Sequence, residues 1–347
     1  MPELRNGSLQ CIVMGAMFSL VGCVSKDSGA EPTWSGTPAP ADTETDTDAD
    51  TDTDADTDTD TDADTDTDTD TDTDTDADTD TDTEVPRPTF AHIAVHNMSC
   101  ALLSPGIPQC WPEVKNPIPA EPVVQYDVGW GVGCWLTTTG ELGCGADGYG
   151  WGAAEVPKEL ALVEVVQVST GQDFTCALKA DGSTRCWGRN DVGQSDSHRG
   201  PFVTISSGNW GSCGISAEGA ITCWGAYGPW RVPAEGQWVQ VDVGDLFACA
   251  VDVDGQLSCF GADYDAVGEL PPSGTFTKVA SGFSHACALS TTGEITCWGA
   301  DNFFGEADAP KGQFIDVAAG VQYSCAVTSE GHAECWGLNS YGQCDAP

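Results

Sequence analysis

Residues 176–188 read Cys176-Ala-Leu-Lys-Ala-Asp-Gly182-Ser-Thr-Arg-Cys186-Trp187-Gly188. Ala180-Asp181 suits a type I turn, and Gly182 suits the left-handed residue that follows it in a three-residue hairpin loop with a bulge. Glycine fills that place because a positive φ costs it nothing. The loop pairs Lys179 with Ser183, and counting outward brings Cys176 opposite Cys186. Opposed Cα atoms of an antiparallel pair lie roughly 4.5–5.5 Å apart, within reach of a disulfide. The stretch therefore predicts a hairpin stapled across its two strands.

The same frame recurs along the chain. Cys100/Cys110, Cys134/Cys144, Cys176/Cys186, Cys213/Cys223, Cys249/Cys259, Cys287/Cys297 and Cys325/Cys335 are seven pairs ten residues apart, each with a glycine at the sixth step. Successive units start 34 to 42 residues apart. Self-similarity at that period marks one supersecondary unit repeated and stacked, as in a solenoid or a propeller. Buried reduced cysteines are the alternative to disulfides. Zinc is disfavoured, since no C-x2-C occurs and none of the five histidines stands in register with the pairs.

Both faces of the hairpin read as buried. The residue after the second Cys is Trp111, Trp187, Trp224, Phe260, Trp298 or Trp336, with Gly145 the exception. Its predicted cross-strand partner is small: Ser99, Thr175, Ser212, Ala248, Ala286 or Ser324. A large ring facing a small residue lets layers interdigitate. A further strand precedes each hairpin, begins on Val123, Val165, Phe202, Trp238, Phe276 or Phe314, and ends in Gly129, Gly171, Gly208, Gly244, Gly282 or Gly320. In the first repeat Phe90 and Ile93 fit this strand only after a one-residue shift, and Val95 stands where the glycine is expected. Strands apolar on two faces need cover on two faces, which neighbouring blades of a propeller supply. The expected fold is all-β, a seven-bladed β-propeller over residues 89–347, with three or four strands per blade left open.

The pattern V-x2-G-x4-C-A-L-x3-G-x3-C-W-G is followed twice by N-x2-G-Q, at Asn190/Gly193/Gln194 and Asn339/Gly342/Gln343. It resembles the repeat of the regulator-of-chromosome-condensation family, and its short period is similar to the compact bacterial members, such as the propeller-type β-lactamase inhibitory protein. The resemblance implies a propeller and leaves the activity open, since propellers host unrelated functions.

Residues 1–22 read as a secretion signal, with Arg5, an apolar run from Cys11 to Val21, and Leu20-Val21-Gly22-Cys23 at its end. That tetrapeptide resembles the lipobox of bacterial lipoproteins, which implies lipidation of Cys23; an ordinary cleaved signal is the alternative. Residues 23–88 read as a disordered acidic stalk. From Asp42 to Glu84 an acid occupies every even position, 22 in all. Such a tract has no apolar surface to bury and repels itself. Weak, non-specific Ca²⁺ binding and O-glycosylation of the threonines compete with a spacer role. Calcium sites of defined geometry need a glycine turn, which the tract lacks. Export provides the oxidising compartment that disulfides need. With Cys11 removed and Cys23 lipidated, Cys344 is left over from the seven pairs.

The chain carries 54 acids against 12 bases. Without the tract, Glu3, Asp27 and Glu31, residues 89–347 keep 29 acids against nine bases. Nucleic acid is disfavoured as a partner, because affinity there rests on cationic contacts to phosphate. An acidic domain favours basic partners instead. No G-x-S-x-G, P-loop or H-E-x-x-H motif occurs, and only His92, His96, His198, His285 and His332 offer neutral-pH bases, so an enzyme is the least favoured class. No cofactor is expected. Asp252-Val-Asp254-Gly255 is a fragment of a calcium loop that a hairpin turn explains fully.

The connections between hairpins vary in length and carry aromatic rings. Trp151, Trp230, Tyr264, Phe303 and Tyr341 are the candidate partner-binding residues, on one end of the propeller; core packing is the competing role. These features lead us to expect a membrane-anchored lipoprotein of the bacterial cell envelope, at the outer membrane or cell surface. Its stapled propeller would bind an extracellular or periplasmic protein or glycan. A structural surface protein without a discrete ligand is the alternative.

Overall fold

A computed structural model describes residues 89–112, 119, 121–146, 151–226, 230–261, 270–299 and 302–347. The signal, Cys23 and the acidic tract lie outside the described residues. The described chain forms seven antiparallel sheets of three strands each, ordered as they come in sequence. Each sheet is one repeat, and together they form a seven-bladed propeller.

The turn chemistry acts as the sequence predicts. In the third blade the Gly182 amide donates to Lys179 O at 2.9 Å and the Lys179 amide to Ser183 O at 2.9 Å, with Gly182 at φ 80°. Cys176 then faces Cys186, and the same register holds in all seven blades. The disulfides are Cys100–Cys110, Cys134–Cys144, Cys176–Cys186, Cys213–Cys223, Cys249–Cys259, Cys287–Cys297 and Cys325–Cys335, with Cα atoms 4.0–4.1 Å apart. The Asp252 fragment is a turn device: its Oδ1 accepts the amides of Asp254 and Gln256 at 2.9 and 2.8 Å.

The cysteine face corrects the expectation of even burial. The first cysteine of every pair is buried, on the middle strand of its blade. The second is only half-buried in six blades, at Cys110, Cys144, Cys223, Cys259, Cys297 and Cys335. These six sit on the outermost strands, where the adjoining blade covers them only in part. Cys186 is the buried exception. Its amide donates to Ser197 Oγ at 3.0 Å and the Thr184 amide to His198 O at 2.8 Å, so the following loop lies along that strand and closes it off.

The first strand of each blade is the innermost. These strands are Phe90–Val95, Val123–Val128, Val165–Thr170, Phe202–Ser207, Trp238–Val243, Phe276–Ser281 and Phe314–Ala319. Each contacts the first strands of its two neighbours, so the seven surround a central channel. The core lies between blades. Phe276, Val279 and Trp298 of blade 6, for example, pack on Phe247, Cys249 and Val251 of blade 5. The ring closes without a shared sheet: Phe90, Ile93 and Trp111 of blade 1 bury against Tyr323, Cys325 and Val327 of blade 7.

Antiparallel order fixes which parts share an end. Innermost strands start where the hairpin turns lie and finish at the other end, beside the finish of the outermost strands. We call these the turn end and the glycine end. The described chain enters at the turn end, where the Phe90 amide donates to Gly331 O at 2.7 Å.

The first blade corrects the sequence reading as well. Val95 pairs with Ser99 as Thr170 pairs with Thr175, so the one-residue shift runs through the whole strand. His96, not Val95, holds the glycine place. A methyl group on Gly208 would overlap the carbonyl oxygen of Gly244, and one on Gly320 would come 2.7 Å from His96 O. The glycines are there because neighbouring backbones meet around the channel.

Candidate functional site

Two tiers of polar side chains staple the innermost strands across the channel wall. In the first, the Gln125 amide bonds both ways with Val168 of the next blade, Nε2 to O at 2.7 Å and amide N to Oε1 at 2.9 Å. Gln167 does the same with Ile205, and Gln240 with Val279. Where the amide is replaced, charge substitutes: Lys278 pairs with Asp316, which also accepts the Ile93 amide at 3.0 Å and lies 2.6 Å from His92 Nδ1. Lys278 and His92 outweigh burial and hold the Asp316 carboxyl below its ordinary range.

In the second tier Asp127, Ser169, Ser206 and Asp242 accept amides of Thr170, Ser207, Val243 and Ser281. Burial pushes Asp127 up and carries Asp242 to about 7, with the charge of Asp127 adding to the rise. Both carboxylates line a cavity of about 100 Å³ at the glycine end, together with His96, Asn209 and Phe283.

The mouth of this cavity is spanned by a hydrogen-bonded chain. Asn209 Nδ2 donates to Asp245 Oδ1 at 2.8 Å, so Asn209 Oδ1 faces His96 Nε2, 2.7 Å away. His96 therefore carries its proton on Nε2, and burial favours the neutral ring. Its Nδ1 and the neighbouring Asn97 Oδ1 are buried acceptors without a partner among the described residues. Trp130 meets the His96 ring edge-on at 6.1 Å. Trp130 and Phe283 are 45% and 46% exposed at equivalent turns of blades 2 and 6.

Farther out at the same end, the loops leaving the outermost strands share one geometry. Asn190, Asn302 and Asn339 each accept an amide five residues on and donate to Asp196, Asp308 and Asp345. Gly193, Gly305 and Gly342 follow at φ 79–82°. The carbonyl after the glycine then receives the next blade: Trp336 Nε1 donates to Glu306 O and Trp111 Nε1 to Gln343 O, each at 2.9 Å. Ser324 and Ser99 donate to the same two oxygens. Ser99 and Ser324, the small partners opposite these two tryptophans, are thus second donors as well as spacers.

Of the candidate rings, Trp151, Phe303 and Tyr341 are 68, 83 and 78% exposed. Trp151, Phe304 and Tyr341 all directly precede a left-handed glycine of these loops. Trp230 is corrected: it is core. Gly211 has no Cβ, and the Trp230 ring occupies that space, packs with Val241 and Phe260, and donates to Trp224 O at 3.3 Å. Tyr264 lies outside the described residues. Cys344 is a half-buried free thiol whose Sγ bonds to Leu338 O at 3.4 Å, and burial raises it to about 11.

Sequence reasoning did not select His96, Trp130, Asn209, Phe283 or Arg189. The Arg189 guanidinium lies 5.6 Å from the Trp151 ring centre and 4.6 Å from that of Trp210, and it pairs with Asp191 at 2.8 Å and Asp173 at 3.7 Å. The available signal was variation: within a near-constant repeat, the two-residue turns after the glycine differ from blade to blade.

Residues 165–194, 276–306 and 314–343 match the family model of the regulator of chromosome condensation (RCC1) repeat. The chain is a propeller that carries RCC1-type repeats. The matched stretches are the blades whose loops carry the Asn-x2-Gly-Gln/Glu geometry. No curated protein matches the sequence. Among solved structures, the RCC1-type propeller is similar to the Physcomitrella patens receptor kinase CR4 ectodomain, at 24% identity and TM-score 0.62 over 72% of this chain and 74% of that one. The CRINKLY WD40 ectodomain of the Arabidopsis thaliana receptor kinase ACR4 shares 21% identity, TM-score 0.62, over 74% and 97%. Saccharomyces cerevisiae Prp20p shares 18%, TM-score 0.51, over 63% and 72%. At these identities the likeness speaks to fold alone.

Proposed function

We propose that this chain is an exported lipoprotein whose propeller is a binding module rather than an enzyme. In this reading it engages a protein or glycan through its glycine end. The observation that carries the reading is the placement of Trp151, Phe303 and Tyr341. All three are largely exposed, on loops at the end opposite the entry of the chain at Thr89. Exposed aromatic anchors on variable loops are where recognition is usually built. Seven disulfides favour an oxidising, extracytoplasmic compartment. Cys23 would supply the acyl anchor, residues 1–22 the export signal and residues 23–88 the spacer.

The test is capture of a partner by the full chain, followed by binding and unfolding curves for Trp151→Ala, Phe303→Ala and Tyr341→Ala. An anchor ring loses about 2 kcal/mol of affinity with stability nearly intact. Three variants with unchanged affinity remove this end from consideration.

A further inference from the structure

A second surface lies at the turn end. Val124, Val166, Val203, Val239 and Ile315 hold the second position of their innermost strands and are 48–60% exposed. That position is a bulge, skipped in the pairing with the middle strand, so its side chain turns out to solvent. In blades 4 and 5 two of these valines are joined by a third. Val253, 58% exposed, stands in the hairpin turn of blade 5, where the other six turns carry Ser, Thr or Ala. Val203, Val239 and Val253, with the buried Ile215 and Trp238, line a cavity of about 360 Å³. Its walls are fixed in advance. The Trp238 amide donates to Gly219 O at 3.0 Å and the Val253 amide to Gln237 O at 2.9 Å, so the turns of both blades grip the start of the strand between them.

We infer that this turn-end cavity takes an aliphatic side chain, leucine or isoleucine in size, from a basic polypeptide. The inference goes beyond the proposed function, which concerns the other end, and stands apart from it. Three exposed valines leave the cavity open on one side. It therefore suits a side chain carried on a polypeptide better than a free small molecule, which needs cover over most of its surface. Glu218 lines the cavity and Asp254 adjoins Val253; both are exposed, and neither has an ion-pair partner among the described residues. An apolar pocket with a charged rim is how interface anchors are built, and here the rim calls for positive charge. A second copy of this acidic domain, or an anionic lipid surface, would bring like charge to the same rim.

The probe is acetyl-Lys-Leu-Lys-amide, titrated into the full chain and followed by saturation-transfer NMR on the leucine methyls. Acetyl-Lys-Ala-Lys-amide removes the anchor, and acetyl-Glu-Leu-Glu-amide reverses the charge. Saturable binding of the first peptide, at least fivefold tighter than either of the others, is expected. Val203→Thr and Val253→Thr keep the side-chain shape and exchange a methyl for a hydroxyl; each should weaken binding at least threefold, as should Glu218→Gln. Val124→Thr and Glu330→Gln, at the equivalent places of blades 2 and 7, should leave it unchanged. Urea unfolding of each variant confirms that the blades remain intact. Equal binding of the alanine or the glutamate peptide, equal losses in the two control variants, or absence of saturation would each overturn the inference. Self-association of the chain, or attachment to phosphatidylglycerol vesicles, that Val203→Thr and Val253→Thr abolish would overturn it in favour of a second copy or a membrane. None of these outcomes involves Trp151, Phe303 or Tyr341, so the proposed function is tested separately.

Discussion

Trp111 of the first blade donates its indole proton to the main-chain oxygen of Gln343, 2.9 Å away and 232 residues later in the chain. Ser99 donates to the same oxygen at 3.0 Å. The equivalent bonds elsewhere join a loop to the blade that follows it. Here they join the last loop to the first blade, so a bond that is medium-range from Trp187 to Ala153 O and from Trp336 to Glu306 O becomes the latch of the ring.

Trp111→Phe keeps the ring packing and removes the donor. It should cost about 1 kcal/mol, the net worth of one hydrogen bond, because Gln343 O keeps the Ser99 hydroxyl. Ending the chain at Leu338 should cost more, because Gln343 and its loop cover the first blade. Urea unfolding of both variants checks the order.

Gly208→Ala places a methyl group into the main-chain oxygens of Gly244 and Val243 on the next blade. Overpacking of this kind costs roughly 1–3 kcal/mol, since backbone must move. Gly140→Ala is a comparison of another sort: nothing lies within 4 Å, and only the φ of 82° is strained. The Gly208 variant should be the more destabilised in thermal unfolding.

Replacing Cys287 and Cys297 together by Ala opens a ten-residue loop. The loss should be about 2–3 kcal/mol, mainly through a freer unfolded chain. Non-reducing peptide mapping of the parent protein should return the seven local links. A preponderance of links between blades would contradict the register.

His285 stands where Phe174, Phe247 and Tyr323 stand in other blades, fully buried, with Nε2 2.8 Å from Ser324 Oγ. Burial lowers its ring to about 4. Between about 6.5 and 4 the unfolded chain binds a proton that the folded chain refuses, so stability drops as pH falls through that window. His285→Phe removes the loss. Its stability relative to the parent should rise by about 2 kcal/mol between pH 7 and pH 5. A pH-independent difference in urea midpoints would contradict the linkage.

Cys23→Ser should release the protein from membranes into the soluble fraction. Acyl chains supply the anchoring energy of a lipoprotein, about 0.8 kcal/mol per buried methylene. Continued sedimentation of the variant with membranes after a high-salt wash would rule out the lipid anchor.

The sequence by itself determined the hairpins, the disulfide partners, the large-opposite-small pairs and the number of blades. Each depends on residues about a dozen apart, where turn geometry and the two-residue alternation of a strand leave one register. Tertiary structure decided what happens between blades and at the ends. Gln125 reads as an ordinary strand residue until the neighbouring backbone at Val168 is in place. Cys186 and Cys223 occupy the same place in their repeats, yet only the first is sealed, because a loop folds back along its strand. His96 took the glycine position through a shift that only pairing with the second strand could reveal. Trp230 went inward because Gly211, nineteen residues earlier, left room for its ring. Its composition is the same as that of Trp151, which stays outside beside Arg189. Contacts such as His96 with Asn209 join blades 1 and 4 across 113 residues. No local preference encodes them; they exist because seven nearly equal units close on themselves, and closure brings together the few side chains in which the units differ.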